Sequence, residues 1–293
     1  MSIPAIQAKI WNGRIPLEIK LAPSESRFFD QGEPYITSCP RLSYLPLLLP
    51  KLLAFFSSSL IDPAVKSSNG WFSFEDVPLR WHYPVGLLYD MHCGAKQISE
   101  VAADAMQKQG NLPWKLVIHF HDFPENELVK LDESGNVLID AYMNNVKEAD
   151  FLRNGSAKAI MSLSKKNSSG LWESVASQDF ARFQRIMNML MSSSQEIRHI
   201  PIRVFTPISP GSENQAPKII QSLFAPSVDD EVLTIGSALH SMLPTLFPDK
   251  QAPVSSKPVL HGAVVPLTAP LEEILRCAAY ADGWLNIVLS MSN

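Results

Sequence analysis

One run, PLRWHYPVGLLYDM at residues 78–91, constrains the fold of this chain more than any other segment. Its first part, with Trp81 and Tyr83, favours a strand, and Pro84 interrupts that strand. Because the proline ring fixes a backbone angle suited to the first turn of a helix, we expect a short helix to begin at Val85. The run therefore predicts a strand followed at once by a short helix.

Residues 1–121 predict one small mixed domain. The Asn12-Gly13 pair lies between Ile10-Trp11 and an apolar alternation that starts at Ile15, which is the pattern of a two-residue hairpin. Apolar spacing then predicts a helix over residues 42–60, short strands over 71–81, a helix over 85–92 and a last strand over 112–120. Hairpin, helix, strands, short helix and strand is the order of the ubiquitin-like β-grasp fold.

A similar order returns over residues 198–293. Alternation at Ile200, Ile202 and Val204 predicts a strand, and Thr234 is a predicted N-cap of a later helix. We interpret this region as a second copy of the same fold.

Residues 122–197, between the two copies, show helical periodicity and predict a helix-rich domain. One apolar face of that domain either packs against its neighbours, which is the favoured interpretation, or forms a docking groove; its residues are Phe180, Phe183, Ile186, Met187 and Leu190. The predicted fold class is α+β, with two ubiquitin-like β-grasp domains flanking a helix-rich domain.

Composition excludes several functional classes. A chain of 293 residues can bury more than one core, and its net charge of -4 argues against an extended nucleic-acid surface. The three cysteines lie far apart, as is typical of a reducing compartment, and no secretion signal or membrane-spanning run is recognised. We therefore expect a cytoplasmic protein whose membrane contact, if any, is peripheral.

Positive charge is concentrated between residues 153 and 203, a span that contains eight Lys or Arg residues and three acidic residues. Such a span suits an acidic partner or anionic lipid, although a solvated helix face is the favoured alternative. The candidate membrane-binding residues are Lys158, Lys165, Lys166 and Arg203.

The chain resembles the autophagy protein five family along most of its length. Besides residues 78–91, the resemblance rests on IWNGRIP (10–16), EPY (33–35), PRLSYL (40–45), LPWKLVIHF (112–120), VKEADFL (146–152), IPIRVF (200–205) and HGAVVPLTAPLEEIL (261–275). None of these pieces is a catalytic motif, so specificity comes from many modest matches in the right order.

The resemblance implies that Lys147, within VKEADFL, is an isopeptide acceptor for the C-terminal glycine of the ubiquitin-like autophagy protein twelve. Apolar spacing along this helix places Lys147 about 100° from Val146, which predicts an amine that reaches solvent. An ordinary lysine amine is almost fully protonated at pH 7, so a conjugating enzyme must supply the activated thioester. The neighbouring Glu148 and Asp150 could orient incoming enzymes or be ordinary surface charge. The chain is thus expected to be a scaffold and not an enzyme.

A second implied partner is the coiled-coil autophagy protein sixteen, bound as a helix in a groove with exposed apolar residues. The resulting complex would promote, in a ligase-like way, lipidation of a ubiquitin-like protein with phosphatidylethanolamine at the preautophagosomal, or phagophore, membrane. Some of the candidate groove residues could instead be core or turn residues; the candidates are Trp11, Gly13, Arg14, Pro84, Gly86 and Leu87.

Two other chemistries stay open at this point. A cysteine-dependent hydrolase or transferase would use Cys93 or Cys277 with a distant histidine. His119 and His121 alternate across Phe120 and could share a face, but no further ligand of the usual spacing follows, so an ordinary strand end is favoured. We expect no metal and no cofactor.

Overall fold

The computed structural model describes residues 2–28, 32–94, 112–191, 196–206, 217–229, 231–253 and 256–291. The described residues divide into two compact units. One is drawn from residues 1–12, 89–108 and 142–293, and the other from residues 13–88 and 109–141. The three predicted domain boundaries, 1–121, 122–197 and 198–293, stay a prediction.

The chain opens with a helix, α1 (Ile3–Trp11), and the predicted opening hairpin is wrong. Pro4 lies in the first turn, where its missing N–H costs nothing, and the Asn12 N–H closes the last turn on the Ala8 carbonyl at 3.0 Å. The Asn12-Gly13 pair therefore ends a helix. The two signals are easily confused, because residues that favour tight turns also favour helix ends.

The first sheet has the strand order β2-β1-β5-β3-β4, with β1 and β5 parallel at its centre. Strand β1 pairs with β2 antiparallel, and β3 pairs antiparallel with both β5 and β4. The strands are β1 (Arg14–Leu21), β2 (Tyr35–Pro40), β3 (Trp71–Phe74), β4 (Val77–Pro78) and β5 (Trp114–His119).

The core of the first sheet follows the predicted alternation, because Ile15, Leu17 and Ile19 are all buried on one face of β1. The helix expected over residues 42–60 is shorter than predicted. A 3₁₀ turn leads into α2 (Leu49–Phe56), and Pro50 occupies its first turn. Helix α3 (Val85–Tyr89) begins at Val85, as predicted.

The second sheet has the order β11-β10-β12-β6-β7, with β12 and β6 parallel at its centre. Read from β7 to β11, this order matches that of the first sheet, with β6 in the place of β1 and β12 in the place of β5. The predicted second copy of the fold is therefore confirmed. Its strands are β6 (Ile200–Phe205), β7 (Ile219–Phe224), β10 (Ser256–Leu260), β11 (Ala263–Val264) and β12 (Leu285–Met291), and a separate small hairpin joins β8 (Ser227–Val228) to β9 (Glu231–Val232).

Along the chain, helices α4 to α7 lie between the last strand of the first sheet and the first strand of the second sheet. Helices α8 and α9 lie between strands of the second sheet. Side-chain caps fix several starts: Thr234 accepts from the Ser237 N–H at 3.1 Å, as predicted, and Asp179 accepts from the Arg182 N–H at 3.0 Å. The bounds are α4 (Asn136–Asn154), α5 (Lys158–Met161), α6 (Lys165–Ser177), α7 (Phe180–Leu190), α8 (Ile235–Met242) and α9 (Leu271–Ala278).

The apolar face of α7 is used for internal packing. The Trp11 ring lies 5.4 Å from the Phe180 ring and 4.6 Å from the Phe183 ring, between centroids, and Ile186 is buried. The interpretation of this face as packing surface is therefore confirmed for these residues. Among the described residues, no helix combines the length and apolar character needed to cross a membrane.

Candidate functional site

Lys147 lies on α4, about 100° around the helix axis from the buried Val146. Tyr142, Val146 and Ala149 are buried along one side of the helix, whereas Lys147 is half-buried. Within the described part of the chain, its amine makes no hydrogen bond and no ion pair. The amine is thus not entombed, although its role as an acceptor stays a prediction.

The buried side of α4 is held by the turn that precedes β12. The Tyr142 hydroxyl donates to the Ala281 carbonyl at 3.0 Å, and the Trp284 indole N–H donates to the Asn145 carbonyl at 3.0 Å. These bonds satisfy groups that would be costly to bury unpaired. They fix α4 at two successive turns.

A third contact lies at the end of α4, where Arg153 is buried and donates from Nη1 to the Gly283 carbonyl at 3.3 Å. Burial lowers the pKa of Arg153, and the adjacent Asp150 carboxylate, 3.6 Å away, partly opposes this. Burial also raises the pKa of Asp282 in the same turn, against the influence of Arg203 and Arg153.

Asp150 is not a surface charge. Its side chain is fully buried, and its carboxylate accepts from the Ile160 N–H at 3.2 Å and from the Asn154 amide at 2.8 Å. The suggestion that Asp150 orients an incoming enzyme is therefore wrong. Its carboxylate instead joins α4 to α5.

Arg203 was a candidate membrane cation, and its environment contradicts that assignment. Its side chain is only 11% exposed, and its guanidinium carbon lies 3.6 Å from the centroid of the Trp284 ring. Nη1 donates to the Asn145 side-chain oxygen at 3.1 Å and Nη2 to the Glu148 carboxylate at 3.0 Å. We call these four residues, Arg203, Trp284, Asn145 and Glu148, the Arg203 cluster.

Sequence reasoning missed the Arg203 cluster because its members come from three distant segments. Arg203 is 55 residues from Glu148 and 58 from Asn145, and Trp284 is 139 residues from Asn145. Patterns of residue spacing within one helix or strand cannot predict contacts between such distant residues. The only available signal was an arginine among alternating apolar residues of a predicted strand.

The other three membrane candidates, Lys158, Lys165 and Lys166, are exposed. Lys158 begins α5, and Lys165 and Lys166 begin α6, where the positive end of the helix dipole disfavours cations. Met161, at the end of α5, is 69% exposed. This segment therefore presents three cations and one large apolar side chain to its surroundings.

The groove candidate Trp11 is buried in the unit that contains α7, against Phe180 and Phe183, and its indole N–H donates to the Gln178 carbonyl at 3.4 Å. The expectation that Trp11 is an exposed apolar residue is therefore wrong. A large aromatic ring is better accommodated between helices than in water.

The other five groove candidates lie in the other unit, and three of them are interior. Pro84, Gly86 and Leu87 are buried, so they offer no exposed apolar surface. Gly86 permits close backbone approach, but to Arg41 of the same chain: a Cβ at Gly86 would lie 2.8 Å from the Arg41 Cβ. The Arg41 N–H donates to the Gly13 carbonyl at 2.9 Å, so Gly13 and Gly86 meet around Arg41.

Arg14 is the groove candidate that remains exposed. Its guanidinium donates from Nε to the Ser38 hydroxyl at 3.1 Å and also reaches the Ser38 carbonyl. These bonds extend the side chain across the neighbouring strand β2, with part of the guanidinium available to an acidic partner.

The two candidate nucleophilic cysteines do not have the environment of a reactive thiol. Cys93 is fully buried. Burial raises the pKa of Cys277, Glu273 adds to that increase, and the Cys277 thiol contacts the Ile274 carbonyl at 3.7 Å. A nucleophilic cysteine is accessible and has a lowered pKa, so the environments of Cys93 and Cys277 do not support the alternative of a cysteine-dependent enzyme.

His119 and His121 surround a buried carboxylate, Glu25. Glu25 accepts from the Phe120 N–H at 2.8 Å, and its carboxylate lies 3.4 Å from the His121 ring. His119 stacks on the Trp71 ring at 3.9 Å and contacts the Ser73 hydroxyl at 2.9 Å. No group of three His, Cys, Asp or Glu among the described residues could hold a metal ion.

These observations define a class of protein in which two ubiquitin-like β-grasp domains flank a helix-rich region in sequence. Three family models match the chain in that order: Autophagy protein ATG5, UblA domain, over residues 10–120; Autophagy protein ATG5, alpha-helical bundle region, over 135–193; and Autophagy protein ATG5, UblB domain, over 199–289. The chain belongs to the autophagy protein 5 family, which confirms the resemblance read from its motifs and gives it a role in autophagy.

Fungal relatives match over almost the whole chain. Autophagy protein 5 of Aspergillus oryzae is 52% identical, covering 99% of this chain and 98% of the relative. Autophagy protein 5 of Penicillium rubens is 51% identical with the same coverage. The crystal structure of Kluyveromyces marxianus Atg5 has the same fold, with a TM-score of 0.78, 22% identity, and coverage of 97% of this chain and 99% of that one.

Proposed function

We propose that this chain is a non-enzymatic acceptor in which Lys147 is joined by an isopeptide bond to the C-terminal glycine of the ubiquitin-like autophagy protein twelve. The observation that carries the proposal is the Lys147 amine, which is half-buried on α4 and engaged by no other described group. An acceptor must keep its nucleophile free while holding the backbone around it. The bonded opposite side of α4 meets the second requirement.

The chemistry belongs mainly to the conjugating enzyme of the same pathway. The Lys147 nitrogen attacks the carbonyl carbon of a thioester that links the modifier's C-terminal glycine to the enzyme's cysteine. An N–C bond forms, the C–S bond breaks, the thiolate leaves, and a base of the enzyme takes the ammonium proton. The acceptor contributes position and accessibility.

The partner helix of the coiled-coil autophagy protein sixteen is proposed to contact the surface around Arg14. The exposed guanidinium suits an acidic side chain of that helix. Gly13, Pro84, Gly86 and Leu87 would support this surface from within, because their contacts are internal.

The assembled conjugate is proposed to promote lipidation of a ubiquitin-like protein with phosphatidylethanolamine at the phagophore membrane. Lys158, Lys165 and Lys166 would meet the anionic surface, at about 1 kcal/mol for each cation. Charge reversal of Lys165 and Lys166 should therefore reduce flotation with anionic vesicles, most strongly at low salt. Unchanged flotation of the double variant would remove this part of the proposal.

The acceptor is tested by Lys147→Arg in a reaction with purified modifier and its activating and conjugating enzymes. The substitution keeps the charge but removes the amine, so the covalent adduct should disappear from a denaturing gel. Lys158→Arg, an exposed lysine of the same region, is the matched control and should conjugate normally. An adduct that persists in Lys147→Arg would contradict the proposal.

A further inference from the structure

We propose that Arg203 and Trp284 are positioning residues for Lys147, and that they fix the rotation of α4 about its own axis. The inference rests on the proposed acceptor function and adds residues outside the acceptor segment. Neither residue touches the Lys147 amine in the described contacts; both act through Asn145 and Glu148.

The Arg203 cluster binds residues of α4 that come shortly before and after Lys147 in sequence. Asn145 precedes Lys147 by two residues and is held twice, by the Trp284 indole at its carbonyl and by Arg203 at its side chain. Glu148 follows Lys147 directly and is held by Arg203 Nη2 at 3.0 Å. A single guanidinium therefore binds two residues that lie three positions apart on one face of α4, one before and one after Lys147 in sequence.

The cluster is the central one of three contacts along α4. Tyr142 contacts Ala281 on its N-terminal side, and Arg153 contacts Gly283 on its C-terminal side. Residues 142, 145, 149 and 153 recur at three- and four-residue steps, so they share one face of the helix. Lys147 lies roughly 140° from that face, at 100° per residue.

Rotation of a helix about its own axis displaces every outward-pointing side chain, including one opposite the bonded face. A side-chain atom about 6 Å from the helix axis moves by about 2 Å when the helix turns by about 20°. A displacement of about 1 Å at a reacting centre can cost about 100-fold in rate. The angular setting of α4 is therefore a direct determinant of transfer to Lys147.

The residue types fit this role. Arg203 stacks its planar group on the Trp284 ring at 3.6 Å while two of its nitrogens reach different acceptors. An ammonium group cannot stack and fork in this way, so lysine is not an equivalent replacement. The Glu148 side chain is 60% exposed, so its removal tests the contact without opening a core.

The test measures conjugation of full-length Arg203→Lys and Glu148→Ala with the purified modifier and enzymes. Arg203→Lys should lower the maximal rate of transfer by about tenfold, with KM for the acceptor little changed, and Glu148→Ala, which removes the acceptor of the Arg203 hydrogen bond, should lower it by a few-fold. Arg185→Lys, at an exposed arginine of α7, is the matched control and should react at the wild-type rate. Hydrogen exchange of the amides around Lys147 should rise only in the cluster variants.

Each outcome is decisive. If the folded cluster variants transfer at the wild-type rate, the positioning role is overturned while Lys147→Arg still tests the acceptor separately. A rate loss that appears equally in Arg185→Lys, or only as a raised KM, also overturns it. If Arg203→Lys does not fold, Glu148→Ala decides alone: a lowered maximal rate supports the inference, and an unchanged rate rejects it.

Discussion

The two ubiquitin-like sheets share one strand order but bury their central strands differently. In β5 of the first sheet, Trp114 and Leu116 are buried while Lys115 is exposed and Val117 is half-buried. In β12 of the second sheet, every residue from 285 to 290 is buried. One topology thus supports either a sheet with one open face or a sheet enclosed on both faces.

The difference shows that the two sheets differ in what covers their outer faces. The enclosed strand β12 begins next to the turn that carries Trp284, and that turn holds α4 and the segment bearing Lys147. Because β12 is buried on both faces, it is a suitable support for the turn that holds α4 in place. Matched substitutions in the two sheets measure this difference directly.

The largest difference is expected for a charge placed at equivalent positions. Lys115 and Asn286 occupy equivalent positions in the two sheets. Each is the second residue of its strand, β5 or β12, to pair with the neighbouring parallel strand. The Asn286 side-chain oxygen is buried without a hydrogen-bond partner among the described residues, so Asn286→Asp buries a charge. Arg203 lies opposite it in register but already binds Asn145 and Glu148, so the substitution should still cost about 4 kcal/mol. Lys115→Asp should stay within about 1 kcal/mol, including repulsion from Glu18 opposite it, in urea unfolding.

A smaller difference is expected at two glycines with positive φ. Gly283 has φ +86 and a Cβ there would lie 2.5 Å from Arg153 Nη1, whereas Gly135 has φ +75 with nothing within 4 Å. Gly135→Ala should cost about 1 kcal/mol from backbone strain alone. Gly283→Ala should cost about 3 kcal/mol, because Arg153 must also move. Equal losses in thermal unfolding would mean that the turn does not hold Arg153 as described.

The smallest difference is expected for truncation of equivalent valines. Val288 in β12 is buried, and Val288→Ala removes two methyl groups from an enclosed site, at about 2 kcal/mol. Val117 in β5 is only half-buried, so Val117→Ala should cost less than about 1 kcal/mol. The comparison of open and enclosed faces fails if the two unfolding midpoints shift equally.

Much of the fold could be predicted because its signals are local. The alternation at Ile15, Leu17 and Ile19 and the capping residue Thr234 each act within a few residues, and the structure follows them. The opening hairpin failed because an Asn-Gly pair suits a helix end as well as a tight turn. Local sequence does not decide between those two uses.

The candidate site was less predictable because burial and pairing depend on distant segments. Asp150 and Arg203 are charged residues that sequence places on a surface, yet both side chains are largely covered. The partners of Arg203 are distant in sequence, whereas Asp150 is bound by the nearby Asn154 and Ile160 in an arrangement that only the packing of α5 on α4 creates. Trp11 was expected to be exposed and is covered by α7. Lys147 itself came from the family resemblance, since a lysine on a helix carries no sequence signal of its own.

The identity of the acceptor lysine is tested directly by peptide mapping of the purified wild-type conjugate by mass spectrometry. The prediction is one branched peptide, in which the modifier's C-terminal glycine is joined to the Nζ atom of Lys147. A branch at Lys158, Lys165 or any other lysine, with Lys147 unmodified, would contradict it.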